Sequence, residues 1–295
     1  MHPLLAAVLV ASVAAGPAPP VAGNPAGRPE TAAPPAQPRV VDARTLDLST
    51  VDGDNAALVA PTATGRREPL AFRVFATREG LAGHTTANGH VITERDHFVA
   101  LPSRRALSAR GTGDYTVRVC AQNGRCAWAP VWDVGPWNTR DDYWNPVTRR
   151  EMWADLPRGT AQAQAAHLHG YHEGRDQYGR PVRNPAGIDL ADGTFWDGLR
   201  LATNAWVTVS YLWTATGPAG TVDTPGDVLN VRTGAGTRHA AVGLAAHRAQ
   251  VRVECRVTGQ QVTGTQGASN QWLRVAPGQY VAAAYVAAPA IPTCG

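Results

Sequence analysis

Cys120 and Cys126 bracket the pentapeptide AQNGR, and the Asn123-Gly124 pair at its centre is a strong hairpin-turn signal. Cross-strand cysteines beside such a turn can bridge with little loop-closure cost. The run into the turn, Tyr115–Cys120 (YTVRVC), alternates with period two, as half-buried strands do. The same period recurs in Trp206–Trp213 (WVTVSYLW). Helix formers in periodic runs are scarce, whereas the chain holds 30 Gly, 23 Pro and 9 Trp, with Val and Thr plentiful. A mainly β fold is expected. Thr160–Tyr171 (TAQAQAAHLHGY) is the short helix candidate.

With 295 residues the chain has room for one large or two modest domains. Pro3–Gly16 is a short apolar run ending in small residues, the pattern of a secretory signal, and a signal peptide is expected over 1–22. The run is too short for a permanent membrane anchor, so no integral membrane segment is expected after its removal. No cysteine follows it, which speaks against a lipoprotein anchor. Residues 23–39, rich in Pro and Ala, read as a linker. Residues 40–76 contain ALVAP and LAFRVF, which either lead into a barrel or add an edge strand. A dense region follows over 77–215. Gly and Pro then cluster over 216–226, where no strand is expected to persist. Short strands with tight turns over 227–295 suggest a small β-barrel.

Four cysteines in a chain with an export signal suggest disulfides. Three connectivities are possible, and spacing alone does not choose among them. The pairing Cys120–Cys126 with Cys255–Cys294 keeps each bridge inside one domain and is the expectation. Neither pair has the C-x-x-C spacing of a zinc site. Every basic residue is arginine and the formal net charge is +4. A mildly cationic surface suits an anionic wall polymer, glycan or nucleic acid. No basic block or aromatic-basic interleaving singles out nucleic acid, and no nucleic-acid partner is expected.

Leu229–Thr237 (LNVRTGAGT), Gln271–Val275 (QWLRV), Gly278–Val281 and Ala284–Val286 carry a resemblance to bacterial SH3-like domains, over about 222–295. The resemblance implies binding of cell-wall peptide or glycan, or an adaptor role. It marks Trp272 and Tyr280 as substrate contacts; core packing is the alternative for both.

The middle region resembles a double-psi β-barrel of the rare-lipoprotein-A and expansin type. Three segments carry this in order: Gly83–Gly89 (GHTTANG), Val131–Pro136 (VWDVGP) and Ile188–Ala191 (IDLA), the last followed by Phe195-Trp196. The expected fold is a double-psi β-barrel followed by a small SH3-like β-barrel. The resemblance implies a groove for extended polysaccharide, with Asp133 and Asp189 as the carboxylates that act on it. Two carboxylates in different environments supply the acid and the base or nucleophile of glycoside hydrolysis, and a lytic transglycosylase manages with one. Both aspartates have structural alternatives, such as holding loop amides. Thr85, Thr86, His97, Trp132 and Trp137 are candidate substrate contacts. Trp144 and Trp196 belong to the same aromatic set, of which one or two are expected to be exposed.

The chain departs from the family pattern in three places. His90 stands where some members place an acid, and His97 lies one residue further from Leu101-Pro102 than the pattern has it. An insertion near 139–186 either forms a lid over the groove or blocks it.

His167, His169 and His172 form H-x-H-x-x-H; on a helix His169 and His172 would share a face and could bind a metal. No H-E-x-x-H is present, and no metal or cofactor is expected. No G-x-S-x-G or phosphate-cradling glycine loop occurs. The leading function is a secreted, cell-wall-associated protein that binds peptidoglycan or a related glycan. The alternatives are a lytic transglycosylase or glycosidase using Asp133 and Asp189, and a secreted protease inhibitor or protein-interaction module.

Overall fold

Runs that alternate apolar and polar residues become strands because one face of each can be buried while the ladder satisfies the backbone. The computed structural model describes residues 66–226 and 228–295. The signal peptide expected over 1–22, the linker over 23–39 and residues 40–65 lie outside the described residues.

Six strands form the first barrel: β1 (Leu70–Glu79), β2 (Val99–Leu101), β3 (Thr116–Cys120), β4 (Cys126–Val134), β5 (Ala186–Ala191) and β6 (Ala205–Tyr211). Most of β1 comes from the alternating LAFRVF segment, expected either to lead into the barrel or to add an edge strand; it is a strand of the barrel itself, paired on both edges. The ring closes in the order β1-β5-β2-β4-β3-β6 and back to β1. The β1·β5 and β2·β4 pairs are parallel and the other four antiparallel. Exchanging β1, β2 and β3 for β4, β5 and β6 maps the ring onto itself, parallel pair onto parallel pair. The long connections over 80–98 and 135–185 are related by the same exchange. This internal twofold is that of a double-psi barrel. Val74, Val99, Leu101, Val117, Ile188 and Leu190 fill the interior.

The connection over 135–185 holds the expected helix, α1 (Gln162–His169). Gly170 in the left-handed conformation (φ 66°) ends it, its N–H donating to the carbonyls of Ala165 and Ala166. His172 therefore lies beyond the helix, at φ 52°, and does not share its face with His169. Among the described residues no cluster of His, Cys, Asp or Glu is arranged to hold a metal. Tyr143 and Trp144 from this connection enter the barrel core. Trp144 stacks on Tyr211 at 5.3 Å between centroids and meets Trp213 edge-on at 5.9 Å. Tyr211 pairs with Leu70, so these aromatics plug the end of the barrel where β1 begins. A buried ion pair, Arg150–Asp141 at 2.6 Å, braces the connection from within.

Eight further strands follow: β7 (Ala219–Val222), β8 (Val228–Arg232), β9 (Ala241–Ala246), β10 (Gln250–Arg252), β11 (Cys255–Gly264), β12 (Gly267–Ala276), β13 (Gln279–Ala282) and β14 (Val286–Ala287). Strand β7 corrects the expectation that 216–226 holds no strand. It pairs with both β10 and β14, and Gly220 makes the approach possible: a Cβ there would lie 2.5 Å from Val286 Cγ1. Both expected disulfides are formed, Cys120–Cys126 and Cys255–Cys294.

The two parts share one sheet and one core. Strand β9 pairs in parallel with β4, Cys126↔Gly243 through Trp128↔Ala245, giving an 11-stranded sheet. Cys120, Cys126, Trp128 and Leu212 from the barrel pack with Val231, Ala245, Val251, Leu273 and Val281 of the C-terminal part. Among the described residues no helix is long and apolar enough to cross a membrane.

Candidate carboxylate site on the barrel face

Pairing register places Thr77 opposite Asp189, Asp189 opposite Ala100, and Ala100 opposite Asp133. The four residues stand in one row across β1, β5, β2 and β4, and residues in register present side chains to the same face. Their neighbours Ala76, Ile188, Val99 and Val131 point into the barrel core, so the row lies on the outer face. Strict alternation would put Asp133 inside with Val131. A bulge prevents this: the register steps from Val99↔Val131 to Ala100↔Asp133, and the extra residue, Trp132, turns Asp133 outward. Ala100, between the two aspartates, carries only a methyl group.

Thr77 donates its hydroxyl to Asp189 Oδ1. Glu79, two residues on and therefore on the same face of β1, lies close enough to Asp133 for that carboxylate to raise its pKa. Asp133 Oδ1 also accepts from the backbone N–H of Ala87 at 2.8 Å and of Val134 at 2.7 Å. Asp133 thus does hold loop amides, and it faces two other acids as well. Gly135, which follows it by two residues, lies beside Asp189; a Cβ there would sit 3.8 Å from Asp189 Oδ2.

Crowding acids together out of water favours their neutral forms. Burial, reinforced by Asp133 and by the charges of Asp189 and Asp192, pushes Glu79 up to about 9. Burial and the charge of Asp133 push Asp189 up to about 7, against the opposing hydrogen bond from Thr77. Oε2 of Glu79 is buried with no hydrogen-bond partner among the described residues. Among the described residues no arginine forms an ion pair with Glu79, Asp133 or Asp189; Arg78 is held instead by Asp192 at 2.7 Å. At neutral pH the cluster can donate a proton or a hydrogen bond as well as accept one.

The other expected contacts have diverse placements. Thr85 is exposed on the loop beside the site, bridged to Val91. Thr86 is buried, and its hydroxyl donates to Asn88 Oδ1 and accepts from His90 N–H, so it holds the turn rather than a ligand. Trp132 is half-buried, donating to Thr112 O and packing on His90 and Phe98. His90 is paired with Asp96 at 2.7 Å. His97 is half-buried beside Gly193, in the turn after β5. Trp137 is half-buried against Ala163, Ala166 and Val182, its indole N–H on Asn184. Trp144 is buried, and Trp196 is 38% exposed with the guanidiniums of Arg78 and Arg95 each 4.7 Å from its ring. Trp272 is buried, donating to Gln260 O, and Tyr280 is half-buried opposite Arg232; both lie in the C-terminal part, away from the carboxylate row in sequence. Sequence reasoning missed Glu79. The period of two that places it on the face of Thr77 was its one signal.

Residues 70–210 match the model of a domain of unknown function, DUF8814; the match runs from the start of β1 to the last residue but one of β6. No curated protein matches the chain. Two crystal structures of the Clavibacter michiganensis expansin are similar, one of a point mutant in complex with cellohexaose and one apo. Each is 14% identical and covers 72% of this chain and 95% of its own, with TM-scores of 0.25 and 0.26. The fold assignment rests on the strand order above.

Proposed function

We propose that this is a secreted protein that binds a cell-wall glycan, peptidoglycan or a close relative, across the outer face of its barrel. The observation that carries this reading is the row Thr77–Asp189–Ala100–Asp133 with Glu79 beside it. All three segments of the double-psi resemblance meet there: Asp133 from the second, Asp189 from the third, and Ala87 N–H from the first on Asp133. Carboxyl groups in mixed protonation suit sugar hydroxyls, which both donate and accept. The two disulfides suit an oxidising compartment outside the cytoplasm. On the SH3-like resemblance, the C-terminal part serves as a second attachment to the wall.

One observation favours a second reading, a lytic transglycosylase. Burial and the neighbouring acids raise Glu79 to about 9, which suits a general acid at a glycosidic oxygen. Sedimentation of the mature protein with purified peptidoglycan, followed by mass spectrometry of the supernatant, tests both. Pelleting without soluble muropeptides is the expected result. Release of anhydro-muropeptides selects the transglycosylase, and failure to pellet removes the wall reading.

A further inference from the structure

The C-terminal part holds a cavity that the barrel site does not use. Strand β8 pairs with β9 along its whole length, yet on its other edge it meets β13 only through Arg232↔Tyr280. Upstream of Arg232 the two strands part, and a cavity of about 420 Å³ opens in the gap. Leu229, Val262, Trp272, Ala282 and Tyr285 line it. The polar ends of the two aromatics are already engaged, the Trp272 indole N–H on Gln260 O and the Tyr285 hydroxyl on Thr263 O. They therefore offer the cavity apolar surface.

Arg232 is the one charged side chain among the described residues that line the cavity. Its Nη1 donates to the carbonyls of Thr237 and His239, which fixes the guanidinium, and its Nε and Nη2 make no bond to the described protein. Asn230, also on the lining, is exposed with an uncommitted amide.

We propose that this gap binds the free carboxylate end of a short peptide with small apolar side chains, Arg232 taking the carboxylate. Three features select this ligand. The volume lies low in the range for small-ligand sites, too small for an extended polymer. Arg232 and Asn230 can serve only part of a saccharide's hydroxyls, and the rest would be buried against Leu229, Val262 and Ala282. A peptide instead buries its small side chains there, and an open strand edge with the Asn230 amide can serve its backbone. The pre-oriented guanidinium matches a carboxylate in charge and in fork geometry. The proposal is independent of the barrel site.

Calorimetric titration of the whole mature chain with N-acetyl-Ala-Val-Ala, as the free acid and as its C-terminal amide, tests it. The acid is expected to bind, and the amide to bind at least about tenfold more weakly. Arg232→Gln should reduce the acid to the level of the amide. Because Arg232 also braces its own turn, a second variant is needed: Val262→Trp fills the cavity from a half-exposed position and should abolish binding while the melting curve stays cooperative. Equal affinity for acid and amide, no binding of either, or binding that survives Val262→Trp overturns the proposal. Displacement of the bound acid by chitohexaose also overturns it, since the cavity would then be a sugar site.

Discussion

Glu79 stands beside Asp133 on the outer face of the barrel, and that neighbour adds to burial in raising the Glu79 carboxyl to about 9. Burial, with the nearby acids adding to it, favours the neutral, protonated form of Glu79.

That proton sets a pH dependence of stability. Glu79 rises from 4.5 unfolded to about 9 folded, so between these values the folded state holds a proton that the unfolded state has released. Its stabilising contribution is complete below about 4.5 and is lost as pH rises toward 9. The slope for one proton is at most about 1.4 kcal/mol per pH unit. Urea denaturation from pH 5 to 9 should show stability falling, and Glu79→Gln, which cannot ionise, should flatten the fall above pH 7, where Asp189, raised to about 7, no longer contributes to the slope. A variant with the wild-type slope would show that another group sets it.

Asp189 should titrate near neutrality, at about 7. The Thr77 hydroxyl favours the ionised form, so Thr77→Val should move the titration upward. Carboxyl carbon NMR of labelled protein reads this directly; a titration that stays put or moves down contradicts the geometry.

The legible and illegible parts of this molecule divide along one physical line. Asn123-Gly124 announces its hairpin and disulfide locally, and VWDVGP and IDLA each mark a strand end with its aspartate. The convergence of those aspartates depends on the bulge at Trp132, which no local pattern signals, and Glu79 reads as an ordinary solvated strand end until the fold buries it. Thr86 reads equally as a sugar contact or a turn residue; only its hydrogen bonds decide. The joining of the two parts was also hidden, because the pairing of β4 with β9 links segments more than a hundred residues apart without any motif.

That joint is narrow enough to test. Gly243 lies against the backbone of β4, where a Cβ would come within 2.1 Å of Cys126 O. Gly243→Ala should force the strands apart and cost about 1–3 kcal/mol, as other overpacking does. Since Cys120, Cys126 and Trp128 belong to the C-terminal core, wild type should melt in a single calorimetric transition. Two separate transitions in wild type would show that the parts unfold independently.

Inside the 135–185 connection, Asp141→Ala would leave the Arg150 guanidinium buried without its partner. A loss of about 3–5 kcal/mol is expected in chemical denaturation. A loss below about 1 kcal/mol would mean that water or the backbone carbonyls suffice for Arg150.

The most direct test uses wall glycan stripped of its stem peptides by an amidase, so that only saccharide remains to be recognised. Binding of wild type and of the Asp133→Asn/Asp189→Asn double variant to this material would be measured by depletion from solution, with melting curves as the control for folding. Wild type is expected to bind, and the folded double variant to bind at least about tenfold more weakly, the loss expected for one charge-assisted hydrogen bond or more. Equal binding by the two proteins, or a wild type that ignores stripped glycan, would contradict a saccharide site on this face.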